Sequence, residues 1–164
     1  LTGLAQGSQP IISFNFGAGN YDRVRKAFFV LFKVSIVYGI CVWAMSVFIP
    51  DILVSVFTSD IALQGYAAPA LRIYMATSLV FGIQVSCQQT FLALGNAKPS
   101  LFLAALRKLI LLIPLIFILP QFMDPQDIAV FTAEPVADLL AVTATSILFF
   151  RFFKKTIYKS NTAI

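Results

Sequence analysis

Two carboxylic acids, Glu134 and Asp138, stand four residues apart in a segment that is otherwise almost wholly apolar. On a helix that spacing sets both on one face. Pro135 lies between them and removes a rung of the helix ladder, so a kink that frees the carbonyl of Phe131 is expected. Two carboxyl groups turned to the inside of a helix bundle can hold a proton or an alkali cation. They can equally be bonded to a neighbouring helix purely as packing. Four cations lie in other apolar runs: Lys33, Arg72, Arg107 and Lys108. The plain expectation for these is that long aliphatic stems carry the charge back towards a polar surface.

Amides form a milder polar stripe. Gln84 and Gln88 share a helix face, with Gln89 beside them, while Gln6, Gln9, Ser13 and Asn15 crowd the first segment. Amides in lipid bond across to another helix or line a cavity. Gly3 and Gly7 form a small-xxx-small pair suited to close helix contact. The chain has no His, so a His proton relay, a His metal site and a Ser-His-Asp triad are excluded within it. Cys41 and Cys87 lie inside apolar runs and read as small packing residues rather than a disulfide or metal pair. No cluster remains that would make this an enzyme.

The elements that must position these groups follow from composition. The 164 residues are 59% hydrophobic and 12% charged, against about 25% charged in an ordinary soluble domain, and mean hydropathy is +0.88. Too few charges exist to cover a soluble surface. The fold class is all-α, a polytopic membrane helix bundle. A span needs about 20 mostly apolar residues. Four stretches qualify, at about residues 24–49, 71–94, 101–119 and 128–150, and the end of a fifth helix closes near Gly17. The first residues already read as helix interior, so a longer protein is expected. At 1.5 Å per residue inward from Asp127, Glu134 lies about 10 Å deep and Asp138 about 16 Å deep, near the midplane of a core about 30 Å thick. A charge there costs about 2.5–3.5 kcal/mol on insertion scales, which marks both acids as ion-coupling candidates.

Charge alternates between the connections. Arg23, Arg25 and Lys26 follow the partial helix, and Lys98 lies in the third connection. Arg151, Lys154, Lys155 and Lys159 lie in the tail. Asp51 and Asp60, then Asp124 and Asp127, occupy the second and fourth connections without a base. By the positive-inside rule the basic connections and the C-terminus are cytoplasmic. The net charge of +5 therefore reflects orientation in the cell's inner (plasma) membrane, and no nucleic-acid partner is expected.

The run Gln9-Pro10-Ile11-Ile12-Ser13-Phe14-Asn15-Phe16-Gly17-Ala18-Gly19, followed by Tyr21-Asp22-Arg23-Val24-Arg25-Lys26, resembles the multidrug and toxic compound extrusion family. Ala93-Leu94-Gly95-Asn96-Ala97-Lys98-Pro99, Arg107 with Ile113-Pro114, and Glu134-Pro135-Val136-Ala137-Asp138 agree with it. The resemblance covers essentially the whole chain and is strongest to the bacterial drug-efflux branch. It implies part of a transporter of twelve helices in two six-helix lobes. Residues 1–164 would be the end of helix eight, helices nine to twelve and a cytoplasmic tail, completed by the N-terminal lobe. It also implies antiport, in which protons or sodium ions enter while amphipathic or cationic drugs leave, with no cofactor. Some branches carry an acid on helix ten, where this chain has Phe81-Gly82-Ile83-Gln84-Val85. Gln84 thus carries over only as a cavity-lining position, and Gln88, Asn15, Gln9 and Arg107 join it as candidates. Two alternatives remain at this point: a related lipid-linked saccharide flippase, which needs cationic cavity groups of which Arg72 and Arg107 are the candidates, and a structural membrane subunit.

The charge pattern generates a topology test. Cysteines placed at Ser59 and Ser160, in a background lacking Cys41 and Cys87, should react with an impermeant thiol reagent from opposite sides of intact cells. Labelling of both from outside would refute the orientation.

Overall fold

Backbone amides and carbonyls have no water to bond in a bilayer interior, so an open chain must satisfy them within helices. The computed structural model, which describes residues 1–158, is helical almost throughout. Its helices are α1 (Thr2–Gly17), α2 (Tyr21–Phe48), α3 (Pro50–Ser55), α4 (Ile61–Tyr74), α5 (Ser78–Ala93), α6 (Ala97–Ala105), α7 (Ile113–Ile118) and α8 (Gln126–Phe153). A π-helical turn, Leu106–Leu112, joins α6 to α7, and a second, Lys154–Tyr158, follows α8. Lys159 and Ser160 lie outside the described residues.

Tyr21–Phe48, Ala97–Gln121 and Gln126–Ile157 are each long and apolar enough to cross a membrane, and α4 with α5, bent by 47° at the break between them, is long and apolar enough for a fourth crossing if the pair is one span. Three of the four expected spans are thus single long helices, and the second differs from expectation. Residues 50–70 are not an open loop. Pro50 opens α3, where its missing N–H costs nothing. The Asp60 carboxylate accepts hydrogen bonds from the Ala62 and Leu63 amides at 2.9 and 3.4 Å, capping α4 ten residues before the expected start at residue 71. An acid that reads as loop polarity is thus a helix cap. Arg72 sits in the last turn of α4, where exposed carbonyls at the bend favour a cation. Helix α8 runs through Pro135 as one element.

Two turns on the basic side share one construction. Gly19 and Gly95 adopt φ of +72° and +75°, a conformation that glycine enters without the clash a Cβ brings. The following amides reach back to the helix they leave: Asn20 N–H donates to the Asn15 carbonyl at 2.8 Å and Asn96 N–H to the Phe91 carbonyl at 2.9 Å. Both are helix-closing motifs of the Schellman type.

Beside these turns lies the core. Phe28, Phe91, Phe149 and Phe153 are all but fully buried. Phe28 meets Phe149 and Phe153 at 4.9 Å between ring centroids, Phe91 stands edge-on to Phe149 at 5.1 Å, and Phe149 stacks on Phe153 at 5.2 Å. This locks α2, α5 and α8 together, with Ile12 of α1 against them. Lys33 is exposed on α2, as a cation on an outward face should be. Cys87 is buried, whereas Cys41 faces outward, so only the former packs as expected.

Further along, α2 and α5 cross almost backbone to backbone. A Cβ on Gly82 would fall 2.3 Å from the Ser35 carbonyl oxygen, and one on Gly39 would fall 2.7 Å from that of Ser78. Backbone cannot yield as a side chain does. Gly82→Ala should therefore destabilise the bundle by about 1–3 kcal/mol through forced separation of the helices. Gly65→Ala on α4, with nothing within 4 Å of its Cβ, should change stability by no more than about 1 kcal/mol. Denaturant unfolding in detergent micelles measures both; equal midpoints for the two would contradict the close crossing.

Candidate functional site

Arg107 lies ten residues beyond Ala97, about 15 Å along that helix. Asp138 lies about 16 Å inside the opposite end of the next span. Antiparallel neighbours bring these two depths level, and the structure joins them. Arg107 Nε donates to Asp138 Oδ1 and Arg107 Nη2 donates to Glu134 Oε1 at 3.2 Å. Lys108 Nζ donates to the same Glu134 oxygen, also at 3.2 Å. The pair is well enclosed: the Asp138 side chain is 8% exposed and that of Arg107 16%, against 54% for Lys108. For Arg107 the expectation that it merely carries its charge back to a polar surface is corrected here, whereas Lys108 stays exposed while bonding Glu134. Arg107 is directed sideways into the bundle, where two carboxylates stand opposite it.

Local backbone explains how adjacent residues reach one acid. Pro114 has no N–H to donate backwards, and the turn before it, Leu106–Leu112, takes i→i+5 bonding. The wider turn presents Arg107 and Lys108 together towards α8. On α8, four-residue spacing supplies Glu134 and Asp138 from successive turns. The Arg107 guanidinium also lies over the ring of Phe81 on α5, its Cζ 4.7 Å from the centroid. This is a cation–π contact, and nothing in the spacing of the chain signals it.

The amide candidates divide. Gln9 of α1 donates from Nε2 to Gln89 Oε1 of α5, and Ser13 Oγ donates to the Ala93 carbonyl at 2.8 Å. Those bonds tie α1 to α5. Asn15 Nδ2 returns to the Ile11 carbonyl of its own helix at 2.8 Å. Gln84 is 1% exposed, and its Oε1, with Gln88 Nε2 and Asn15 Oδ1, has no hydrogen-bond partner among the described residues. Gln88 borders a cavity of about 480 Å³ between α5 and α6, with Lys98 and Ser100 on its rim. A second cavity, of about 550 Å³, opens between α3, α4 and α8 and is lined by Phe57, Tyr66, Tyr74 and Phe131 among others. Sequence reading misses this one, since most of its walls come from the stretch expected to be loop.

The four charges should behave as a unit. Removing one member of an enclosed pair strands the other, at about 3–5 kcal/mol. Asp138→Leu should destabilise the bundle by that order, and Arg107→Leu likewise. The double variant should recover most of the loss, because two apolar side chains leave no uncompensated charge. A double-mutant cycle on unfolding midpoints measures this; strictly additive losses would mean that the two side chains do not meet.

Comparison with known proteins gives three concordant results. The family model MatE matches residues 1–118. The multidrug export protein MepA of Staphylococcus aureus is 31% identical over 121 residues, which is 73% of this chain and 26% of MepA. Among solved structures, the MATE multidrug transporter DinF-BH superposes with a TM-score of 0.85 at 31% identity, over 95% of this chain and 34% of that one. An outward-facing multidrug resistance MATE family transporter of the MOP superfamily superposes at 0.79 with 17% identity, over 97% and 35%, and so shares the fold. This chain spans about a quarter of the length of the curated relatives it matches and about a third of the solved ones. Its helices are thus those of an all-α membrane bundle within the larger fold of these transporters, and the chain belongs to the MatE family.

Proposed function

We propose that this chain serves as the C-terminal part of the second lobe of a cation-coupled antiporter that exports amphipathic or cationic drugs and toxic compounds. On this reading α1 is the end of helix eight, α2 is helix nine, α4 with α5 is helix ten, α6 with α7 is helix eleven and α8 is helix twelve. The N-terminal lobe completes the cavity. The protein sits multi-pass in the inner (plasma) membrane with its C-terminus cytoplasmic, uses a proton or sodium gradient, and needs no cofactor.

One observation carries the proposal: an enclosed carboxylate at mid-depth, Asp138, in a chain whose relatives export drugs. An ionisable group in that position is costly and is retained where it does work. Asp138 changes protonation or partner as the cavity changes sides, and Glu134, one turn outward, relays or shares the ion. Gln84, Gln88, Asn15 and Gln9 remain candidates for lining the cavity. The flippase reading has less support, because Arg107 is already engaged by two carboxylates and offers little to a pyrophosphate headgroup.

The test uses a transporter of the relatives' full length carrying this sequence, with ethidium, a fluorescent amphipathic cation, as the exported probe. Asp138→Asn keeps shape and most hydrogen bonding but cannot take up or release a proton. It should lose less stability than Asp138→Leu, because the amide oxygen still accepts from Arg107. The folded variant should export ethidium about tenfold or more slowly, while Asp138→Glu retains part of the rate. Export by the Asn variant at the wild-type rate, with unchanged dependence on the ion gradient, would falsify the assignment.

A further inference from the structure

The carboxylates of α8 come with their own cations. Arg107 engages both of them, and Lys108 adds a second bond to Glu134, so two positive and two negative groups face one another. A hard cation such as sodium needs several oxygen ligands at once. Here N–H donors already occupy Asp138 Oδ1 and Glu134 Oε1. Among the described residues no third Asp or Glu, and no Cys, joins these two as a ligand set. A free ion must also compete with a guanidinium that is tethered to the same protein and is therefore present at high effective concentration.

A proton makes different demands. It takes one lone pair and needs no coordination shell. When it adds to the Asp138 carboxylate an O–H bond forms and the negative charge is lost, so the bond from Arg107 Nε loses its charge assistance and the guanidinium is free to leave it. The guanidinium keeps all its protons and its charge. It already has two other holds, the Glu134 carboxylate at 3.2 Å and the Phe81 ring at 4.7 Å. Return of the guanidinium to Asp138 expels the proton. The charged and titratable groups around this exchange are few. Glu134 comes from the same helix, Arg107 and Lys108 from the π turn, and Cys87 lies buried on α5 beside Phe91. Helix α4 brings Tyr66 against Phe131 and carries Arg72 in its last turn, and Lys98 lies near the start of α6.

We infer that Arg107 is a tethered cation that closes the Asp138–Glu134 carboxylates to alkali ions and yields Asp138 only to a proton, with the Phe81 ring holding the guanidinium once that bond is given up. Arg107 and Phe81 are then positioning residues that select the coupling ion. This rests on the reading of Asp138 as the coupling group.

The experiment uses the full-length transporter in proteoliposomes, with ethidium as the exported probe and either a pH gradient or a sodium gradient imposed alone. The pH gradient should drive export, and the sodium gradient at uniform pH should not. Arg107→Gln should lower pH-driven export by about tenfold and Arg107→Lys should restore part of it, since a cation without the planar fork fits the two acids less well. Phe81→Leu should lower the pH-driven rate by about threefold to tenfold and move its pH profile, whereas Phe81→Trp preserves both. Sodium-driven export in the unaltered protein that Asp138→Asn abolishes overturns the inference while leaving Asp138 as the coupling group. A folded Arg107→Gln or Phe81→Leu variant with the wild-type pH profile overturns the role of that residue. Export that survives Asp138→Asn under either gradient removes Asp138 from coupling, and the inference falls with it. Should Arg107→Gln fail to fold, Arg107→Lys and Phe81→Leu read the same role, and a wild-type rate and pH profile in both overturns it.

Discussion

A charge placed in hydrocarbon must find its partner inside the protein, and that constraint organises the last two spans. Glu134 and Asp138 have short stems, and neighbouring helices largely enclose both. Arg107 and Lys108 meet them from the neighbouring span, and in doing so set how far that span is slid and rotated against α8. The backbone accommodates the match. The π turn over Leu106–Leu112 aims two consecutive cations at one helix, and the regular α-helix of α8 aims two acids back. An ion pair of this kind adds little net stability over an apolar substitute. Its bonds from Arg107 and Lys108 are made with α8 in this one arrangement of the two helices.

The remainder of the bundle is held by different forces. Rings from α2, α5 and α8 interlock around Phe149, and backbone approaches backbone where Gly39 and Gly82 lack side chains. Dispersion and close packing drive helix association in lipid, where apolar burial offers no advantage over the tails. The charged cluster therefore sits beside a firmly packed scaffold, with Phe81 of α5 touching both the scaffold and Arg107. A rigid support of this kind is what a site needs if a single proton is to move one side chain rather than the whole bundle.

Buried polar side chains divide into those with a partner and those without. Among the described residues Ser35 Oγ and Thr145 Oγ1 are buried without one, as are Gln84 Oε1 and Gln88 Nε2. By contrast Gln9 and Gln89 satisfy each other between α1 and α5. Amides that look alike along the chain thus do different things, some binding helix to helix and others presenting an unused donor or acceptor.

Class, family and the acids worth attention are all legible in the order of the amino acids. Composition and long apolar runs dictate a membrane bundle whatever the detailed packing. The Gln9–Gly19 and Glu134–Asp138 motifs point to the family, and the four-residue spacing puts both carboxylates on one face. Spans two and three were less legible. Asp60 reads as loop polarity because a cap and a loop use the same residue, and only the hydrogen bonds to Ala62 and Leu63 distinguish them. The fate of Arg107 was not legible at all. A long flexible stem reaches a headgroup or a neighbouring helix equally well, and periodicity reports which face a residue occupies, not what stands opposite. Asp138 is 31 residues away in the chain, and Phe81 lies on a third helix. Tertiary packing alone brings these three together, because only there do the depths of antiparallel spans become level.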